Sequence, residues 1–137
     1  MKRFASIALL TLATVCAAGR LQAQTREMRA EIPFNFIVGS QQLQAGSYRL
    51  LPEGESIILI QNRDHATAVL TLRLCSTGES STGSSLVFNR YGDRYFLSEI
   101  HSTISALNQE IPRSKLEKRA QTEQASLEPT RIMVAGN

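Results

Sequence analysis

Few side chains have the thiol or imidazole chemistry most often used in catalysis. Outside the first 23 residues they are the thiol of Cys75 and the imidazoles of His65 and His101, beside scattered carboxylates. A cysteine nucleophile needs a base within hydrogen-bond reach. His101 is the candidate base for Cys75, although a solitary strand cysteine ordinarily acts as a small hydrophobe. His65 follows Asp64 in an expected turn, where an aspartate caps its own backbone and the histidine is simply exposed. Glu53 and Glu55 flank a turn glycine, whereas a glycosidase needs two carboxyls facing each other across a cleft. HExxH, CxxC, GxSxG and phosphate-loop patterns do not occur. The residues therefore assign no catalytic role, no metal and no cofactor, and a hydrolase built on His65 or His101 is the least favoured class.

The densest unusual grouping is Arg90, Tyr91, Asp93, Arg94 and Tyr95. Arginine and tyrosine together present flat apolar faces with fixed donors, suited to a sugar, an acidic group or a partner loop. The structural alternative has Asp93 satisfying turn backbone while the arginines pair with carboxylates or stack on the tyrosines.

Those residues must be held by strands. Leu86 to Tyr91 and Arg94 to Ile100 flank Gly92-Asp93, a two-residue connection with glycine first, which predicts a type II′ hairpin. The register then sets Tyr91 opposite Arg94, Arg90 opposite Tyr95 and Phe88 opposite Leu97, with Arg90 lying across the Tyr95 ring. From Met28 to Val38 the even positions are Met, Ala, Ile, Phe, Phe and Val, which predicts one half-buried strand, placed at an edge or bent at a bulge by Pro33. Tyr48 and Leu50 share a face of a strand over 47–51. The unbroken apolar run Ile57 to Ile60 predicts a central strand covered on both faces. Residues 67–75 form a strand packed through its even positions, and the Ser/Gly/Thr-rich stretch 76–85 reads as a mobile surface loop. Leu107 to Ile111 reads as extended. Ser114 and Glu117 form a capping box after Pro112, predicting a peripheral helix over about 115–124. Ile132 and Val134 predict a closing strand over 130–134. The fold class is mainly β, an antiparallel β-sandwich or small β-barrel with one peripheral C-terminal helix.

The N-terminus sets the expected compartment. Lys2 and Arg3 precede an apolar stretch from Phe4 to Ala18, and Leu21-Gln22-Ala23 resembles a cleavage site, so residues 1–23 read as an export signal and 24–137 as one β-rich domain. The apolar stretch is shorter than a spanning helix requires. The chain carries a formal charge of +3. Loss of Lys2, Arg3 and Arg20 with the signal leaves 12 acidic residues balanced by an equal number of basic ones. That neutrality removes nucleic acid as an expected partner. Arg113, Lys115, Lys118 and Arg119 cluster, but Glu110, Glu117 and Glu123 are interspersed, as on an ordinary solvated helix face. Cys16 leaves with the signal, so Cys75 is a lone free thiol, unable to close an internal bridge and available to an intermolecular one.

The strings PFNFIVG (Pro33 to Gly39), LQAGSYRL (Leu43 to Leu50) and LVFNRYGDRYFLSEI (Leu86 to Ile100) resemble a family of small exported bacterial β-proteins patterned PFxFxVGxxxLPAGxYxV, RYGDxYFL and LPxSxxE. Gln44 stands where that pattern has proline, and Ile111 where it has leucine. The resemblance implies export and a β-rich fold. The family has no assigned activity, so no catalytic residue and no cofactor transfer. The expectation is an exported, periplasmic or extracellular, non-enzymatic module that binds a glycan, an envelope component or another protein. The alternative is a small barrel carrying an apolar ligand.

Overall fold

The computed structural model describes residues 26–54, 57–64, 68–72, 74–75, 82–124 and 130–137, with side chains described for all of these except 68–75. The expected signal, His65, the Glu55 carboxylate, most of the expected loop 76–85 and the side-chain pattern of 67–75 lie outside the described residues.

The strands are β1 (Met28–Ile32), β2 (Phe36–Val38), β3 (Gln41–Leu43), β4 (Gly46–Glu53), β5 (Ile57–Asn62), β6 (Ala68–Leu72), β7 (Leu74–Cys75), β8 (Ser84–Tyr91), β9 (Arg94–His101), β10 (Gln109–Glu110) and β11 (Thr130–Gly136). A short 3-10 turn, Ser105–Leu107, and the helix α1, Lys115–Glu123, complete the described elements. The strands form one sheet in the order β3-β2-β9-β8-β11-β1-β4-β5-β6, and β10 links β7 back to β9. The hydrogen-bonded path thus curls round on itself, giving a small barrel-like sheet with a single described helix rather than two facing sheets. All pairings are antiparallel except β2 with β9, which meet in parallel through Ile37 and Phe96.

Alternation produces the core. Met28, Ile32, Phe36, Tyr48, Leu50, Ile58, Ile60, Leu86, Phe88 and Ile100 are large side chains almost wholly withdrawn from water in one contiguous cluster, and Tyr91 and Phe96 are buried likewise in a second, smaller one. Phenylalanine rings continue through the larger cluster edge to face. Phe88 meets Phe34 at 5.2 Å and Phe36 at 5.5 Å, and Phe36 meets Tyr48 at 5.1 Å. Such pairs add to area burial because ring edges are positive and faces negative.

Several expectations are corrected. The segment 28–38 is two strands rather than one. Pro33 to Asn35 carries the chain out of β1, which lies between β11 and β4, and into β2, beside β9 and β3. Alternation survives the break because both pieces face the same core, so period alone could not reveal it. β5 is central as expected, between β4 and β6, but Ile58 and Ile60 are buried while Ile57 and Leu59 are half-exposed. No described helix covers that outer face. Ser84 and Ser85 belong to β8 rather than to a loop. The expected strand over 67–75 appears as β6 and β7 on either side of residue 73.

The C-terminal strand closes the sheet as expected, and runs further. β11 pairs with β8 from Thr130 opposite Arg90 to Gly136 opposite Ser84. Its other side joins β1 through Ala30 and Gly136 only, reinforced by reciprocal backbone bonds between Arg29 and Asn137.

Helix α1 starts at its expected cap. Ser114 Oγ accepts from the Glu117 backbone N–H at 3.1 Å, satisfying one of the four open donors of the first turn. The helix rests on the outer face of β8 and β9, where Ala120 packs with Tyr91, Phe96 and the half-buried Ile37.

Candidate functional site

The β8-β9 hairpin is the best specified local structure. Gly92 has φ +60 and, among the described residues, no non-glycine residue has positive φ, so Asp93 does not, the combination a type II′ turn requires. Tyr91 pairs with Arg94, Arg90 with Tyr95 and Phe88 with Leu97. The register then shifts between Val87 and Phe88, a bulge that places Ile100 opposite Leu86.

The pleat divides the five sequence-predicted residues between the two faces of the hairpin. Arg90 and Tyr95 share one face, where the Arg90 guanidinium carbon lies 5.5 Å from the Tyr95 ring centre. Tyr95 also stacks on Phe34, with ring centres 4.1 Å apart and planes inclined by 19°. Arg90 Nε donates to the Gly92 carbonyl at 2.7 Å, fixing the guanidinium over the ring. Arg90 is exposed, while Tyr95 and Phe34 are half-buried. The result is a solvent-accessible aromatic edge with a cation on it, backed by the phenylalanine rings of the core.

Tyr91 and Arg94 serve the opposite face. Tyr91 is buried beneath α1, edge-on to Phe96 at 5.8 Å. Its hydroxyl donates to Glu117 Oε1 at 3.4 Å, and Asn89 Nδ2 donates to the same oxygen at 2.9 Å. Burial, and next the negative charge of Glu117, hold the Tyr91 phenol above its ordinary value of 10.0. Arg94 Nη2 donates to Glu123 Oε2 at 2.5 Å, tying the hairpin to the end of α1. Asp93 is exposed at the tip. The structural alternative is met for both arginines, since Arg94 pairs with a carboxylate and Arg90 stacks on a tyrosine, and the Arg90-Tyr95-Phe34 edge faces water.

The role of Glu117 differs from the expected one. Rather than returning to the Ser114 backbone or sitting among the helix cations, its carboxylate turns under α1 and is only 3% exposed. A buried carboxylate needs donors, and Asn89 and Tyr91 supply them. Nothing local to the helix sequence signals this, because both donors come from a strand 26 or more residues away.

The thiol and the described histidine are not brought together as a catalytic pair. Cys75 is in register with Gln109, and Gln109 with Ile100. A whole strand separates β7 from β9, so their backbones are about 10 Å apart. His101 Nε2 instead lies 2.9 Å from Glu99 Oε2, and Glu99 also accepts from Arg131 on the outer wall. Among the described residues, no group of three or more His, Cys, Asp or Glu is placed to hold a metal. No described helix is long and apolar enough to cross a membrane.

An open cleft of about 320 Å³ lies where β11 meets β1, lined among others by Arg29, Glu31, Ser47, Tyr48, Arg63 and Gly136. Its walls come from separate strands, so no sequence motif marks it. Comparison with known proteins gives no relative: no family model, no curated protein and no solved structure matches the chain.

Proposed function

We propose that this chain is an exported, non-enzymatic β-domain that binds a glycan of the cell envelope or its surroundings at the open edge of the β8-β9 hairpin. The observation that carries this reading is the Arg90-Tyr95-Phe34 stack, an exposed guanidinium held over half-buried aromatic rings that rest on Phe88 of the core. Sugar rings offer apolar faces to aromatic planes and hydroxyls to fixed donors, and both are present here. Asp93 at the tip adds acceptors. Rigidity supports the assignment, since a bulged, fully paired hairpin loses little freedom when a ligand docks.

The second reading, an enclosed apolar ligand, needs interior space. The described interior positions are taken up by Phe36, Tyr48, Phe88 and the aliphatic side chains around them, which favours a surface site over a lumenal one.

A glycan array, followed by pull-down from envelope extracts, tests the proposal. Binding to a saccharide class, lost in Tyr95→Ala and Arg90→Gln, is the expected result. Turnover of a substrate, or glycan binding indifferent to both substitutions, would overturn it. Mass spectrometry of periplasmic or secreted protein tests export, with a mature chain starting near Gln24 expected.

A further inference from the structure

We infer that the outward face of α1 is a second binding surface, for an acidic polysaccharide chain. The inference takes its ligand class from the glycan-binding proposal but rests on different residues and a different observation. Sequence composition balances the cations of this helix against Glu110, Glu117 and Glu123, and the fold draws two of those acids away from the outward face. Glu117 is buried against Asn89 and Tyr91, and Glu123 is occupied by Arg94.

The geometry of the helix concentrates the remaining cations. The side facing the sheet is defined by Glu117, Ala120 and Gln124. At 3.6 residues per turn, Lys115, Lys118, Arg119 and Thr122 all fall within about 55° of the opposite direction. All are exposed, and among the described residues none of these cations forms an ion pair. Arg113, just before the helix, is exposed as well and contacts only the neutral Gln121. The stripe is therefore a row of exposed cations without ion-pair partners among the described residues, on a chain whose formal charge is only +3. At its C-terminal end the helix reaches the hairpin on its sheet-facing side, where Gln124 lies against Gly92.

A narrow row of cations suits a linear polyanion better than the other anionic partners. Helices that lie on membranes bury a broad apolar face. In α1, Ala120 is committed to the sheet and Leu116, at 37% exposure, stands alone on the flank. Nucleic-acid binders commonly neutralise about six to ten phosphates, and this row spans only about 6 Å of helix rise between Lys115 and Arg119. A polysaccharide carrying carboxylates along its length meets the row edge-on, its successive charges falling on neighbouring cations.

Binding of the full chain to alginate, neutral dextran, phosphatidylglycerol vesicles and duplex DNA, each at low and raised salt, tests the inference. Alginate should bind, weaken as salt screens the contact, and outcompete the other probes. Lys115→Gln, Lys118→Gln and Arg119→Gln together should weaken alginate about a hundredfold, taking the usual contribution per cation at an anionic surface. The charge-matched variant Arg26→Gln, Arg29→Gln and Arg63→Gln should bind as the parent does. All these side chains are exposed, so thermal unfolding should verify that both variants fold. Equal losses in the two variants, no loss in the first, or tighter binding to vesicles or DNA would overturn the inference. Binding confined to neutral glycans would overturn it and leave the hairpin proposal standing. Glycan binding by neither surface would remove both.

Discussion

Replacing Asn89 by alanine should weaken the fold by about 2–3 kcal/mol, because it strips the shorter of the two described hydrogen bonds from a buried carboxylate. Glu117 is 3% exposed and Asn89 is 6% exposed, so water cannot replace the lost donor without the helix lifting. The remaining partner, the Tyr91 hydroxyl, is 3.4 Å away against 2.9 Å for Asn89 Nδ2. A hydrogen bond to a charged group contributes about 1.5–3 kcal/mol, and the uncompensated charge adds to the loss. For a domain of this size that amounts to a fall in Tm of about 10 °C. Urea unfolding followed by circular dichroism reads the effect as a lower midpoint at unchanged m-value. Glu117→Gln removes the charge while keeping the shape, so Asn89→Ala should cost less in that background than in the parent. A loss below about 0.5 kcal/mol, or costs that simply add, would refute the view that this buried pair seats α1 on the sheet.

Phe88→Ala should cost about 3–5 kcal/mol, since the ring is fully buried and contacts Phe34 and Phe36; calorimetry measures it, and a cost under about 1 kcal/mol would mean the barrel centre is not tightly packed. Ser114→Ala should cost about 1 kcal/mol through loss of the cap to the Glu117 N–H, seen as reduced Tm, with Ser114→Asp restoring it. The raised Tyr91 phenol has a definite alkaline sign. A group whose folded value lies above its unfolded one contributes stability that is complete below that unfolded value, near 10.0, and is lost as pH climbs through the folded value. Ultraviolet titration should show Tyr91 ionising late, a step absent in Tyr91→Phe, and the parent should lose stability at alkaline pH more steeply than that variant.

What the sequence discloses here follows the range of the interactions. The hairpin, its turn type, the pairing of Arg90 with Tyr95 and the stacking between them depend on residues a few positions apart, and all are present. The helix cap is equally local, and α1 begins where it predicts. The closing strand was legible in outline from Ile132 and Val134, although β11 extends to Gly136. Non-local choices were not legible. Alternation across Pro33 continues whether one strand bends or two strands join different neighbours. Whether Ile57 and Leu59 face a helix or water depends on what lies outside the sheet. Glu117 looks like any helix-surface acid until Asn89 and Tyr91 come beneath it, and the aromatic edge needs Phe34, more than 50 residues before Arg90 in the chain, to complete it.

The account turns most directly on the affinity of the full chain for the saccharide class that retains it on the array, measured by calorimetry for the parent and for Tyr95→Ala with Arg90→Gln. The predicted result is saturable binding by the parent and a loss of about tenfold or more in the double variant at unchanged fold, the scale of a central aromatic contact. Equal affinity in parent and variant would contradict the claim that this hairpin edge is where the protein meets its ligand.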